Sequence, residues 1–508
     1  MRALLVINAT LDPAREREIA AGLYPRKDYL ELRAALGADI LDLTALDRRY
    51  WTRLVRRVAG AAVAQALLAW TMSRRYDAVF ADRETTGFVL AALYKLPFFR
   101  GRLSSRHGDA PAFAKEASLF APPAPSGGAW GDASPQPPAI HSSRVARGLD
   151  MGDALSPSAL TAPLPHPGSS FLAGVWGETS PQAPPEGVGG ARGEAQAPPE
   201  GTEGEGGPPL PRTRRGAGSE GRPRLTMIGH LLSPPGKQAL VRGLRLDRVI
   251  DAVVVHSTLQ ARLAERTLGL LPDQVALVPY QTDERFWAPR DEDGGGDGDA
   301  PARICSAGLE YRDYETLVEA VRGLPVELVI AAASHWSTHQ GLAGERPTPP
   351  NVRVDSFDYA ALRDLYASSL FVVVPLHDVE NQAGITTILE AMAMGKAVVV
   401  SHTRGQTDVV RDRRHASRSD ASRPTQPDWA RDLGAPEETA RAHTGVYVRP
   451  GDPDELRRAI TFLLEHPDQA RAMGANGRRL VAQTMGLDHF TARLAAIIRG
   501  DAPAAREA

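Results

Sequence analysis

One segment in the second half of the chain shows the clearest pattern of apolar and polar runs. Residues 371–375 form a continuous apolar run that ends at a proline, as expected of a strand buried on both faces of a parallel sheet. Residues 377–384 are polar, and apolar residues then recur at helical spacing until Gly395. Residues 397–400 are again apolar. The pattern predicts a strand–helix–strand crossover whose polar loop lies at the carboxyl end of a strand.

The polar loop has the composition of an anion site. In open parallel sheets, ligands bind beyond the carboxyl ends of the strands, where helix N-termini carry roughly half a positive charge. Glycine in the loop lets a ligand approach the backbone closely, and two adjacent threonines add hydroxyl donors. We therefore expect an anion to be bound by the residues that open the helix: Ala383, Gly384, Ile385, Thr386 and Thr387. The alternative is that these residues only cap the helix.

The same segment resembles the nucleotide-sugar site of glycosyltransferase family 4, whose members are retaining enzymes of the GT-B fold. The family pattern is a glutamate, seven residues, and a second glutamate that opens an E-A-M-A-x-G helix. This chain has Gln382, seven residues and Glu390, followed by A-M-A-M-G at 391–395. The resemblance implies that Glu390 holds the ribose of a nucleotide and that residue 382 contacts the donor sugar. Because glutamine replaces the first glutamate, we also consider Glu380 as the source of the carboxylate.

Two further stretches resemble this family. Residues 280–289, YQTDERFWAP, are similar to its linker between domains, which implies that the second domain begins near residue 288. Gly308 and Arg312 match a motif whose cations neutralise the diphosphate of the donor. Leu309 stands where the family has an arginine, so the positive charge is smaller than the family pattern predicts.

The ends of other predicted strands supply the remaining candidates. His230 directly follows an apolar run, at a place where the family has a donor-binding histidine, and we group it with Glu380 and Gln382 as a candidate catalytic residue. Phe357 lies in the turn where the family contacts the base of the nucleotide. Strand ends in the first part of the chain give three candidates for the acceptor side of the site: Arg83, Glu84 and Lys237.

Composition and the resemblance together predict two Rossmann-like doubly wound α/β domains that face a central cleft. Between residues 121 and 220 the chain has 18 prolines and 18 glycines, a composition that favours disorder over a packed core. The predicted parts are an N-terminal, acceptor-side domain at 1–100 and 223–287, a Pro/Gly-rich disordered insertion at 101–222, a nucleotide-sugar-binding domain at 288–485, and a crossing helix and tail at 486–508.

Charge and cysteine content exclude several classes of protein. The chain has 508 residues with 59 basic and 61 acidic side chains, so no overall charge drives it toward nucleic acid. Cys305 is its single cysteine, which excludes a disulfide framework and favours a cytoplasmic setting. No metal site is expected, and the nucleotide sugar is a substrate, so we predict no cofactor.

One basic and aromatic stretch suggests a second kind of contact. Residues 48–57, RRYWTRLVRR, resemble an interfacial helix in composition. The apolar run that follows, residues 58–70, is shorter than the roughly 18 residues expected of a spanning helix. We therefore predict a buried helix there, with peripheral contact at the inner face of a membrane as a second hypothesis.

The function that the resemblance implies is transfer of a sugar by a glycosyltransferase of hexosyltransferase type, with retention and without a metal. The donor would be a nucleotide-diphosphate sugar such as a UDP or GDP sugar, and the acceptor is an unknown glycan, lipid or small molecule. Two alternatives remain open at this stage. One is a nucleotide-sugar epimerase on the same fold, and the other is a non-catalytic protein that binds a sugar nucleotide.

Overall fold

The computed structural model describes residues 1–96, 222–290, 301–332, 348–412 and 442–501. The predicted disordered insertion lies outside the described residues apart from Arg222. Residues 413–441 lie outside them as well.

The first half of the fold is a parallel sheet of six strands. Its spatial order is β2-β1-β3-β4-β5-β6, so the chain reverses direction across the sheet beside β1. The strands are β1 (Ala3–Val6), β2 (Asp39–Leu41), β3 (Ala78–Ala81), β4 (Arg224–Ile228), β5 (Ala252–Val255) and β6 (Val275–Leu277).

The second half is another parallel six-stranded sheet, in the order β12-β11-β10-β7-β8-β9. From β7 the chain forms β8 and β9 on one side of the sheet, then returns and forms β10, β11 and β12 on the other side. Strands β7 and β10 therefore flank a topological switch point. The strands are β7 (Ala302–Ala307), β8 (Val326–Ala331), β9 (Val352–Asp355), β10 (Phe371–Val374), β11 (Ala397–Ser401) and β12 (Gly445–Val448).

Helices connect the strands and cover both faces of each sheet. In the first half they are α1 (Pro13–Ala20), α2 (Asp28–Leu36), α3 (Tyr50–Ala59), α4 (Ala61–Met72), α5 (Glu84–Tyr94), α6 (Pro235–Gly243) and α7 (Thr258–Arg262). In the second half they are α8 (Tyr314–Val321), α9 (Tyr359–Ser368), α10 (Ile385–Ala393), α11 (Pro453–Glu465), α12 (Pro467–Leu480) and α13 (Leu487–Arg499).

Each sheet is buried on both faces. In β1, Leu4 and Val6 pack into one apolar cluster, whereas Ala3 and Leu5 pack into the cluster on the opposite face. Alternating side chains of β10 are divided between two clusters in the same way. This explains why the strands are continuous apolar runs. The predicted α/β fold with two Rossmann-like doubly wound domains is confirmed.

Two features of the first domain differ from the sequence prediction. The apolar run at 58–70 is not one helix, because Gly60 has a φ of 87° and separates α3 from α4. Strand β2 was not predicted, since it is only three residues long and only one of them, Leu41, is buried. Within the described ranges, no helix combines the length and the apolar composition needed to span a membrane.

The C-terminal helix returns to the first sheet. Phe490, Leu494 and Ile498 of α13 pack into the same cluster as Leu5 of β1. Next to this crossing, the backbone of Thr282 pairs with residues on both sides of Gly486. The crossing helix that the resemblance implied is therefore present in the structure.

Ion pairs tie the linker to both ends of the chain. The guanidinium of Arg26 donates to Asp283 Oδ1 and to Asp488 Oδ1, each at 2.8 Å. Asp488 also pairs with Arg285. The side chains of Arg26 and Asp283 are 16% and 3% exposed, so their ion pair is shielded from water and screened less than a surface pair. The cluster fixes the linker beside α2 and α13.

Candidate functional site

The candidate anion site lies at the switch point of the second sheet. Two loops meet there, one after β7 and the other after β10, and each contains a glycine in the left-handed conformation. Gly384 has a φ of 76°, and a Cβ at this position would lie 2.8 Å from Val374 Cγ1. A Cβ at Gly308 would clash with the guanidinium of Arg312. Both glycines are therefore required by their backbone conformation and by their neighbours.

Arg312 joins the two loops. Its Nε donates to the carbonyl of Ala307 at 2.9 Å, and its Nη2 donates to Thr387 Oγ1 at 3.1 Å. Among the described residues, no carboxylate lies within salt-bridge distance of this guanidinium. Burial lowers its pKa from the usual value for arginine. Arg312 thus presents a positive charge, held in place by neutral groups, at the start of α10.

The first turn of α10 has backbone amides without acceptors among the described residues. Gly384 is the N-cap residue and makes no side-chain cap hydrogen bond. The described structure gives no acceptor to the amides of Thr386 and Thr387, although the next amide, that of Ile388, bonds to the Gly384 carbonyl at 3.0 Å. These free amides and the charge of Arg312 fit an anion such as a phosphate.

Glu390 lies one turn further along the same helix. Its Oε2 accepts a hydrogen bond of 3.1 Å from the hydroxyl of Tyr366. Burial raises the pKa of Glu390 to about 8, although the bond from Tyr366 and the charges of Lys27 and Arg312 oppose the shift. The raised pKa favours the protonated carboxyl group near neutral pH more than in an exposed glutamate. Phe357 packs at the edge of the apolar cluster that includes α10.

A cavity of about 170 Å³ lies between the two sheets. Its wall combines loops that follow β4 and β5 with the loop that leads into α10. The lining residues are Gly229, His230, His256, Ser257, Gln260, Tyr280, Asn381, Gln382 and Ile385. Since Ile385 opens α10, the cavity borders the candidate anion site.

The wall of this cavity carries buried polar atoms without partners. They are His256 Nε2, Gln260 Nε2, Asn381 Oδ1 and Gln382 Nε2. Folded proteins rarely leave such atoms unpaired, because each costs about 1 to 3 kcal/mol when it is desolvated without a hydrogen bond. Two of the atoms are amide donors and one is a carbonyl acceptor, so together they match a ligand rich in hydroxyl groups.

The two histidines of the cavity are neutral. The ring of His256 bonds through Nδ1 to the carbonyl of Val278 at 2.8 Å, and burial together with the neighbouring His230 lowers its pKa to about 3. Its Nδ1 is therefore the donor, which leaves Nε2 as an acceptor. Desolvation in the cleft also lowers the pKa of His230. The two ring centroids are 5.4 Å apart. Neither ring carries the charge that would bind a phosphate at neutral pH.

Glu84 and Lys237 lie beneath His230. Their side chains are 6% and 5% exposed and form an ion pair of 2.8 Å. Glu84 also accepts a hydrogen bond of 3.1 Å from the backbone amide of His230. Arg83, by contrast, lies 3.1 to 3.2 Å from the side-chain amide of Asn8, at the end of β1. The structure therefore places the buried pair where it holds the loop that carries His230.

Gln382 and Glu380 occupy different environments. Gln382 lines the cavity, and its Nε2 has no partner. Glu380 Oε1 accepts a hydrogen bond of 2.9 Å from Arg404, and both side chains of this pair are more than a third exposed. Glu380 is not among the residues of the cavity wall. Gln406 Nε2 donates a hydrogen bond of 3.0 Å to the carbonyl of Ala383, which fixes the loop that leads into α10.

Six residues of the cavity wall were not predicted from the sequence: Gly229, His256, Ser257, Gln260, Tyr280 and Asn381. His256 follows the apolar run of β5, so the strand-end argument that selected His230 would also have selected it. Gln260 lies in α7 and Tyr280 at the start of the linker, and neither position has a local signal. Only the packing of the two domains brings them together.

Residues 304–425 match the family model described as Glycosyl transferases group 1. The match begins in β7 and includes the loop of Arg312, the whole of α10 and β11. The candidate anion site lies within the matched residues.

Several solved structures are similar to the fold at low sequence identity. HepE of Anabaena in complex with UDP-glucose is 12% identical over 98% of this chain and 99% of that chain, with a TM-score of 0.49. A glycosyltransferase from Rickettsia africae is 12% identical over 98% of both chains, also with a TM-score of 0.49. Sucrose-phosphate synthase from Thermosynechococcus elongatus is 20% identical over 55% and 68%, with a TM-score of 0.41. No curated protein sequence matches the chain.

Proposed function

We propose that this protein transfers a sugar from a nucleotide-diphosphate sugar to an acceptor, with retention and without a metal. The observation that carries the proposal is the contact between two complementary sites. The candidate anion site, with Arg312 and the free amides of Thr386 and Thr387, borders a cavity lined with unpaired polar atoms. A nucleotide sugar has a diphosphate next to a ring of hydroxyl groups, so it fits this combination.

The arrangement supports an electrostatic mechanism. Negative charge builds up on the diphosphate as the bond to the sugar breaks, and Arg312 with the α10 amides would stabilise it. Among the described residues, the wall of the cavity has no carboxylate. The wall would therefore offer no carboxylate nucleophile, and in the proposed scheme the leaving diphosphate itself accepts the proton of the acceptor on the face from which it departs. Retention is the outcome that the family resemblance implies and that this scheme would give.

We place the acceptor on the side of the first domain. A second cavity, of about 460 Å³, is lined by residues from the loop after β1, from α1 and from the start of α2: Thr10, Leu11, Asp12, Arg15, Tyr24, Lys27 and Tyr29. The ring of Tyr24 lies 4.4 Å from that of Tyr359 in the second domain, so this cavity reaches the domain boundary. Aromatic rings and hydrogen-bonding side chains suit a glycan or another polyhydroxylated acceptor.

Release of nucleoside diphosphate from a panel of UDP, GDP and ADP sugars tests the proposed function. We expect one donor to be consumed with release of nucleoside diphosphate, and faster in the presence of the right acceptor, and we expect the rate to persist in EDTA. Conversion of the donor to an epimer without an acceptor would instead show an epimerase. Binding of a donor with no turnover under any condition would show a sugar-nucleotide-binding protein.

Replacing Glu390 with alanine should weaken binding of the nucleotide sugar about 10- to 150-fold, the usual range for loss of charged hydrogen bonds of 1.5 to 3 kcal/mol. The reason is that, in this proposal, the carboxylate accepts hydrogen bonds from the ribose. Isothermal titration of wild type and variant gives the ratio directly. Glu327→Ala, which removes a half-buried carboxylate of β8 that pairs with Arg303, is the control and should leave affinity unchanged. Equal affinity of wild type and Glu390→Ala would remove Glu390 from the site.

The pH dependence of binding should follow the same residue. Because burial raises the pKa of Glu390 to about 8, and because the ionised carboxylate accepts hydroxyl hydrogen bonds through both oxygens, binding of the ribose below pH 8 would be coupled to loss of a proton. Affinity should therefore rise as pH increases from 6 to 8, by up to about tenfold per unit, and then level off. In Glu390→Gln the affinity should not vary with pH over this range. A flat profile in the wild type would contradict coupling of binding to the ionisation of Glu390.

A further inference from the structure

Helix α3 presents an apolar stripe to solvent. Tyr50, Leu54 and Val58 are 75%, 51% and 64% exposed. They are spaced four residues apart, so they lie on one face of the helix. The opposite face holds the helix to the domain, through the buried Thr52 and through Trp51 and Val55, which pack against the core. The packing of the described residues thus leaves the stripe exposed to solvent.

The stripe is bordered by positive charge. Arg49, Arg53 and Arg57 are exposed, form a second row beside it, and make no ion pair with any described residue. Arg56 pairs with Asp47. From residue 48 to residue 76 the sequence has seven arginines and no acidic residue. A row of exposed apolar side chains beside unneutralised arginines is the pattern of helices that lie in the interface of an anionic bilayer.

We propose that α3 docks this protein on the surface of an anionic phospholipid membrane. Arg49, Arg53 and Arg57 would meet the phosphates of the headgroups, and the side chains of Tyr50, Leu54 and Val58 would enter the boundary between headgroups and acyl chains. The choice of a membrane over a protein partner rests on charge. Arg49, Arg53 and Arg57 are exposed beside the stripe and have no carboxylate partner among the described residues, which suits a fluid anionic surface.

This inference is independent of the proposed function. The face is built from α3, and none of its residues lines the cavity between the sheets or the larger cavity of the first domain. A protein that turns over no nucleotide sugar would still bind vesicles if the inference is right. Glu390→Ala, which lies in the donor site, should bind vesicles as the wild type does.

Sedimentation of the full-length protein with sucrose-loaded vesicles tests the inference. We expect binding to vesicles of phosphatidylcholine with 30% phosphatidylglycerol, weakening as salt is raised, and little binding to pure phosphatidylcholine. Arg53→Gln with Arg57→Gln should weaken binding about 25-fold, because each arginine near an anionic surface contributes about fivefold. Leu54→Ser with Val58→Ser should also weaken it. All four side chains are exposed, so these variants should keep the wild-type melting temperature.

The matched control removes the same charge elsewhere. Arg449→Gln with Arg471→Gln takes two exposed arginines from the second domain and should bind vesicles within about twofold of wild type. The inference would be overturned by an absence of binding to the anionic vesicles, by equal binding to both kinds of vesicle, or by equal effects of the two double variants. It would also be overturned if light scattering showed that the stripe joins two copies of the chain and Leu54→Ser with Val58→Ser separates them.

Discussion

Replacing Arg312 with alanine should lower turnover of the nucleotide-sugar donor by about 100- to 1,000-fold, the usual cost of removing one preorganised donor to developing negative charge. The guanidinium bonds to Ala307 and Thr387 and has no carboxylate partner among the described residues, so its charge is available to a ligand. It also lies where the free amides of α10 point. Since charge on the diphosphate grows as the sugar leaves, the loss should fall mainly on kcat.

The control for this experiment is Arg404→Ala. Arg404 lies near the same loop, but it is 61% exposed and already paired with Asp378 and Glu380. Its removal should change kcat less than threefold. Wild-type turnover by folded Arg312→Ala would contradict the assignment of the diphosphate to the switch point. A lower melting temperature of the free variant would instead show that the hydrogen bonds of Arg312 mainly hold the two loops together.

The second large effect is expected at Gln382. Gln382→Ala should lower turnover by about 100-fold or more, because its Nε2 faces the cavity without a partner and is placed to bond a hydroxyl of the sugar. Glu380→Gln should change turnover less than threefold, because Glu380 lies in an exposed ion pair with Arg404. Steady-state kinetics of the two variants with one donor give the comparison.

Gln382→Glu adds a sharper test. A carboxylate at this position would stabilise positive charge that develops on the sugar ring in the transition state, so we expect turnover to rise. If Glu380→Gln proved severe and Gln382→Ala harmless, the carboxylate upstream would be the group that faces the sugar. If both variants kept wild-type turnover, neither residue would face the sugar, and a protein that only binds the donor would become the better explanation.

The central strands of both sheets were largely predictable because they are buried on both faces. Strand β10, for example, is an uninterrupted apolar run that is buried throughout. The edge strand β2 has no such run, since Asp39 and Ile40 reach solvent. The break at Gly60 was hidden for a different reason. Alanines and apolar residues continue on both sides of it, and only the left-handed backbone separates the two helices.

Site residues that lie close together in the sequence were predictable, whereas residues that the two domains bring together were not. Gly308, Arg312, Gly384 and Glu390 belong to two short motifs at strand ends. The loop composition indicated Gly384, whereas the family resemblance supplied the other three. The cavity, by contrast, joins Gln260 and Tyr280 to Asn381, more than a hundred residues away. Contacts such as the 2.7 Å bond from the Thr258 amide to Asp408 bring these loops together. No periodic pattern in the sequence predicts these contacts.

The burial of Glu84 and Lys237 was also not predictable. Both are charged residues at strand ends, a position that favours contact with a ligand. In the structure they neutralise each other beneath His230 and are nearly inaccessible to solvent. Charged residues at strand ends therefore divide into those that face the cleft and those that hold its loops, and only the three-dimensional structure separates them.

A crystal structure of the protein with the donor sugar nucleotide that binds most tightly would locate each part of the donor. We expect the diphosphate within hydrogen-bond distance of Arg312 and of the amides of Thr386 and Thr387. We expect the ribose at Glu390 and the sugar in the cavity beside Gln382 and His256. A nucleotide sugar bound with its diphosphate away from the switch point, or with its sugar outside the cavity between the two sheets, would contradict this placement.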